Sequence, residues 1–195
     1  RVLAVHITLP EAKYAEASRA DSFFRTLMER LRGVSGVESV AGLFNGLGVD
    51  YSLGATELFI DKFCIGDQGD SAPIHTGRLM LVTPEYFTTM GIPFLRGQTM
   101  TDQGPDNVVI DEAFARECFP DTDPIGQTIV VYGPGGHRVW VIGVVDTVRS
   151  FGVPEPGRGV VYGRGREFGN RFAVVLVRTS VSSAAIAPAV RQQRS

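Results

Sequence analysis

Residues 82–93, VTPEYFTTMGIP, decide how this chain is read, because a helix start, an apolar face and a helix stop follow one another without a gap. Thr83 is placed to accept a backbone N–H as N-cap, Pro84 stands where its missing donor costs nothing, and Glu85 complements the helix dipole. Gly91 suits the left-handed position after a helix of about two turns, and Pro93 forbids continuation. Tyr86, Phe87 and Met90 then share one apolar side. Residues 107–110 read as a buried strand, Asp111 as N-cap, 112–118 as a helix and Pro120 as its stop. Residues 121–126 form a turn. Residues 127–132 and 138–145 read as two strands joined across Gly133-Pro-Gly-Gly136, a hairpin by composition and spacing.

Upstream, residues 2–8 alternate, with Leu3, Val5 and Ile7 on one face and His6 on the other, which predicts a strand. Pro10 ends it, and a Glu/Ala/Ser-rich segment from Glu11 leads into a helix of about four turns ending at Arg32. Phe24, Leu27, Met28 and Leu31 recur at helical spacing, while Arg25, Glu29, Arg30 and Arg32 face water. Gly33 is the C-cap, and 37–44 is the next strand, so 2–44 is expected to be a βαβ unit with a right-handed crossover. The helix stripe is explained by packing, at roughly 1.5–3 kcal/mol per fully buried side chain before entropy is counted.

Gly46 and Gly48 punctuate the chain. Residues 56–65 and 74–82 read as strands around a turn-rich loop at 66–73. After Val148, Gly152, Pro154, Pro156, Gly157 and Gly159 mark a linker, followed by strands at 159–162 and 171–179 and a helix at 184–193. A second βαβ unit has thus begun and lacks its last strand, which predicts an open edge beside 171–179.

A chain of 195 residues with 44% hydrophobic content can bury a substantial core. A formal net charge of −2 and a pI near 5.9 supply no basic surface suited to nucleic acid. The longest apolar run is VWVIGVV, far short of a membrane span. Beginning at Arg1 with no initiator Met or signal peptide, the chain reads as an excised or processed piece of a longer protein.

The residues that could carry chemistry have structural readings. No GxxxxGK[ST] loop is present, so no phosphate cradle of an ATPase is encoded here. Gly163, Gly165 and Gly169 have GxGxxxG spacing, which departs from the dinucleotide fingerprint, and no cofactor is expected. His6, His75 and His137 have no His or Cys neighbour at ligand spacing, so solvated or core-edge histidines are expected and no metal site. No serine sits in a GxSxG elbow. Asp111/Glu112, Asp121/Asp123 and Asp102/Asp106 fall at caps and turns, where an oxygen acceptor is structurally useful. The chain is therefore read as non-catalytic. Cys64 and Cys118 leave two readings: a disulfide, which would constrain the unfolded chain by roughly 3–4.5 kcal/mol, or two separate buried thiols. Cys118 lies four residues after Phe114 on an apolar helix face, which favours the thiols.

Three blocks, VTPEYFTTMGIPFLRGQTMTD (82–102), VVIDEAFARECFPDTDPIGQTI (108–129) and VWVIGVVDTVRSFG (139–152), resemble the MacB-like periplasmic core domain of MacB/FtsX-type ABC transporter permeases. They come in the family's order and cover about a third of the chain, with weaker similarity in the flanks. The resemblance implies an α+β fold. Two βαβ units, the second truncated, would form a porter-like subdomain at 1–48 plus 160–195, with a mixed α/β, sabre-like subdomain inserted at 49–159. It also implies an extracytoplasmic, periplasmic domain of a bacterial cytoplasmic-membrane protein that transmits conformational change. Its expected partners are a second permease copy or a paralogue, the cytoplasmic ATPase through the parent protein, and a cargo or envelope protein. Such movement needs hinges, and Gly46, Gly48, Gly152 and Gly157 are the candidates. The other reading is an extracytoplasmic module that binds or senses a ligand, lipoprotein or peptide, with Tyr51, Leu53, Phe59 and Phe63 lining its surface if they are not core.

Overall fold

A helix carrying Phe24, Leu27, Met28 and Leu31 along one side needs an apolar surface to lie on, and a sheet rich in β-branched residues supplies it. The computed structural model describes residues 1–44, 61–65, 74–101, 106–131, 137–148, 159–165 and 171–181. These group into two units, one drawn from Arg1–Tyr51, Leu81–Gly91 and Gly165–Ser195, the other from Ser52–Met80 and Ile92–Arg164.

In the first unit β1 (Val2–Thr8), the single turn α1 (Glu11–Tyr14), α2 (Ala17–Arg32) and β2 (Val37–Phe44) follow in order. The last strand of the described chain, β10 (Phe172–Thr179), lies between β1 and β2 and is antiparallel to both. β1 and β2 therefore run parallel to each other, as a βαβ unit requires, with β10 between them. The expected open edge beside 171–179 is corrected, because each side of β10 is already paired. The apolar run 173–177 suits that place: Ala173, Val175 and Val177 join Ile7, Val40 and the α2 stripe in one core, and Leu176 is buried as well. The helix expected at 184–193, and with it the end of the second βαβ unit, lies outside the described residues.

α3 (Tyr86–Met90) completes this unit. Gly91 takes the left-handed conformation expected of it, with φ of 72°. Thr83, however, is not the N-cap. Its Oγ1 instead accepts from Gly42 N–H at 3.1 Å, while Thr83 N–H donates to Gly42 O at 3.0 Å. The hydroxyl is turned to the strand, and the helix starts after Glu85 with no side-chain cap bond. The same bonds explain why Leu81–Gly91 groups with the first unit, whereas the expected division placed it in the insert; residues 160–164 group with the second.

The second unit holds β3 (Asp61–Ile65), the start of β4 (Ile74–Val82), β5 (Phe94–Gly97), β6 (Asn107–Asp111), α4 (Glu112–Cys118), β7 (Thr128–Val131), β8 (His137–Val145) and β9 (Val160–Arg164). Strand pairings run β4-β3-β7-β8-β6-β9, and β9 pairs back to β4, with Arg78 N–H donating to Gly159 O at 3.0 Å. The pairings therefore close into a cycle, which removes most free edges. β6 and β8 run parallel, with α4 and β7 between them in sequence, while the β3–β4, β3–β7, β7–β8 and β6–β9 pairs are antiparallel. β5 pairs with β8 off the cycle. Phe63, Val108, Ile110, Phe114, Ile129, Val141 and Val161 fill the core. The expected mixed α/β insert is thus mostly strand, with α4 its one helix among the described residues. β7 and β8 pair antiparallel as the hairpin reading expects, with Val131 opposite His137; the turn lies outside the described residues.

Candidate functional site

α4 organises the chemistry of the second unit, and its first cap is why. Asp111 closes β6, adopts extended backbone, and its Oδ1 accepts from Phe114 N–H at 2.8 Å and from Val160 N–H at 3.0 Å. One carboxylate oxygen thus caps a helix and anchors the start of β9. Thr147 supports the same corner, accepting from Ala113 N–H at 3.0 Å and hydrogen-bonding to Asp111. Burial raises the Asp111 pKa above its ordinary 3.8, and the backbone bonds from Phe114 and Val160, the Thr147 bond and the Arg116 charge offset part of that rise.

At the other end of α4, Glu117 and Cys118 come beside His75 of β4. One ligating atom from each, the His75 ring nitrogen, a Glu117 carboxylate oxygen and the Cys118 Sγ, lies within 4.8 Å of the others. His75 Nδ1 is 4.0 Å from Glu117 Oε1. Cys118 is buried, His75 half-buried and Glu117 exposed, so the group sits at the rim of the core with one side toward water. Burial, with the Glu117 charge beside it, pushes the Cys118 thiol up to about 12. In the absence of a cation it is therefore a protonated, unreactive thiol.

The other singled-out residues scatter. Gly46, Gly48, Gly152 and Gly157 lie outside the described residues, as do Tyr51, Leu53 and Phe59. Phe63 is fully buried against Phe114, ring centroids 5.3 Å apart, so it belongs to the core and not to a binding surface. His6 and His137 are exposed on β1 and β8. Asp123 serves its turn, accepting from Ile125 N–H at 3.0 Å and pairing with Arg96 at 3.2 Å. Cys64 and Cys118 are buried thiols, not a disulfide. The approach of His75 to Glu117 and Cys118 had no signal in local spacing, because β3–β4 pairing and the docking of α4 create it.

In the first unit an open hollow of about 530 Å³ runs beside α1 and α2, lined among others by Lys13, Tyr14, Arg19, Phe23 and Arg30. Among the described residues its lining contains no histidine, cysteine or carboxylate, and Arg19 is paired with Glu16 at 3.3 Å. The exposed large hydrophobics among the described residues, Val2, Ile74, Leu95 and Val181, lie on separate segments.

Residues 5–193 match the MacB-like periplasmic core domain. No curated protein matches the chain at a significant level. Among solved structures, the periplasmic region of MacB from Actinobacillus actinomycetemcomitans is similar with a TM-score of 0.63 and 15% identity, covering 98% of this chain and 81% of that one. The extracellular domain of the noncanonic ABC-type transporter YknZ from Gram-positive bacteria is similar with a TM-score of 0.57 and 19% identity, covering 96% and 88%.

Proposed function

The chain belongs to the MacB-like periplasmic core domain family, the extracytoplasmic domain of ABC transporter permeases, and from that membership we propose that it works mechanically, passing displacement between its membrane-embedded parent and a partner outside the membrane. The observation that carries this reading is the division of a family-matched chain into two separately cored units. Such a build suits movement of one packed body against another better than it suits a single pre-formed reaction pocket. The buried polar groups described above are spent on caps and turns, which is what a rigid body needs.

In this reading the first unit is the porter-like part and the second the sabre-like insert. The chain passes between them at 51/52, 80/81, 91/92 and 164/165. The proposed hinges are Gly46 and Gly48, which precede the 51/52 passage inside the first unit, and Gly152 and Gly157, which precede the 164/165 passage inside the second. The proposed partners are a second permease copy or a paralogue, the cytoplasmic ATPase reached through the parent, and a cargo or envelope protein.

The test is a distance measurement in the membrane-reconstituted parent. Fluorophores placed at exposed Glu29 of the first unit and exposed Asp121 of the second report their separation with and without ATP. A nucleotide-dependent change that is reduced when Gly152 and Gly157 are replaced by alanine supports the proposal. An unchanged separation through the ATP cycle overturns it.

A further inference from the structure

We propose that His75, Glu117 and Cys118 form a site for a thiophilic divalent transition cation of the zinc class. The three residues supply one imidazole nitrogen, one carboxylate oxygen and one sulfur, the donor types that Zn²⁺ takes with bonds of about 2.0–2.3 Å. Donors around such a tetrahedral ion stand roughly 3.3–3.8 Å apart, and these three already lie within 4.8 Å of one another. Closing that gap takes side-chain adjustments of about an ångström, well within what Glu117, exposed and unbranched, can make. Mg²⁺ and Ca²⁺ are disfavoured because they demand six or more oxygens, and a sulfur donor argues for a softer ion.

The scaffold holds two elements at the right separation without help from the metal. His75 is fixed by antiparallel pairing of β4 with β3, opposite Phe63. Cys118 is held in the core with Phe114 and Phe119, and the helix end is closed by Phe119 N–H donating to Ala115 O at 2.9 Å. Binding replaces the Cys118 S–H proton, released to solvent, with a metal–sulfur bond, and a water completes the fourth position on the exposed side. The His75–Glu117 separation of 4.0 Å is too long for a hydrogen bond, so closing on a cation forfeits no existing bond between them. The ion then ties β4 to the C-terminal end of α4, a cross-link inside the second unit that does no chemistry.

Titrating the 195-residue chain, treated beforehand with chelator and reductant, with Co²⁺ and then Zn²⁺ tests this. The expected result is one equivalent bound, with a near-ultraviolet thiolate-to-cobalt absorption that Zn²⁺ abolishes, and a rise of several degrees in Tm on adding Zn²⁺. Cys118→Ser should remove the absorption, His75→Ala should weaken binding at least tenfold, and Cys64→Ser should leave both unchanged. If Cys118→Ser fails to fold, the half-buried His75 variant still decides. No thiolate absorption with Co²⁺, or an affinity that His75→Ala leaves intact, overturns the site.

Discussion

Arg178 of β10 donates through Nε to the carbonyl of Thr89 at 2.8 Å, so a strand side chain caps the C-terminal end of the five-residue helix α3. A helix this short has more unpaired carbonyls than internal bonds, and a cation at its C-terminus both satisfies one and complements the dipole. Thr89 adds a second tie, its buried Oγ1 donating to Ser39 Oγ of β2 at 3.0 Å. Arg178→Ala should destabilise the protein by about 1.5–3 kcal/mol, the range for a hydrogen bond to a charged group. Arg178→Lys should recover only part of it, since an ammonium lacks the planar fork. Chemical denaturation of the two variants checks this; a lysine variant as stable as the parent would show that burial of the stem, not the guanidinium cap, carries the effect.

Gly91 lies under the same guanidinium. Its φ is +72°, and a Cβ there would stand 2.9 Å from Arg178 Nη2. Gly91→Ala therefore combines backbone strain of about 1–2 kcal/mol with displacement of the cap. In a double-mutant cycle the second part should vanish when Arg178 is already alanine. The two losses should add to more than the loss of the double variant, by about 0.5–1.5 kcal/mol. Strict additivity would mean that only the backbone angle matters.

The parts of the fold that were legible in the sequence rest on short-range chemistry. Asp111 caps α4, Gly91 ends α3 in the left-handed region, and the stripe from Phe24 to Leu31 packs as its spacing implies, because each depends on residues within one or two turns. Pairing order was not legible in the same way. The run 173–177 is apolar on both faces, the mark of a central strand, yet which strands flank it is settled by residues more than a hundred positions away. β5 was missed because Leu95, Arg96 and Gly97 are exposed and carry no alternation. The His75, Glu117 and Cys118 group was missed for a related reason: two distant elements create it, and no local spacing encodes it.

Gly159 stands at the point where β9 meets α4, with a Cβ there falling 2.3 Å from both Phe114 Cβ and Phe114 N. These are backbone and first side-chain atoms of a capped helix and cannot swing aside. Gly159→Ala should therefore break either the Arg78–Gly159 pairing or the Asp111–Val160 bond, at a cost above about 4 kcal/mol. Loss of the cooperative thermal transition, or amide protection lost at Arg78 and Val160, is the expected readout. A variant that melts within a degree or two of the parent would refute the contact.

The pH dependence of stability follows from Asp111, which is 1% exposed. Burial, the largest influence, raises its pKa above the unfolded value of 3.8 against the pull of the bonds from Phe114, Val160 and Thr147. Between those two values the folded chain holds the Asp111 proton more tightly than the unfolded chain does. Stability contributed by this group is complete below the unfolded value and is lost as pH rises through the folded one. Asp111→Asn removes the titration while keeping an Oδ1 acceptor for both N–H groups. Its stability relative to the parent should therefore rise from acid to neutral pH and then level off. Asp111→Ala removes the acceptor as well, leaving two N–H groups unpaired at about 1–3 kcal/mol each, so it should be strongly destabilised at every pH. Urea unfolding of the three proteins between acid and neutral pH separates these outcomes. If the asparagine variant loses ground as pH rises, the carboxylate is held ionised by its three hydrogen bonds, and burial is not the stronger influence.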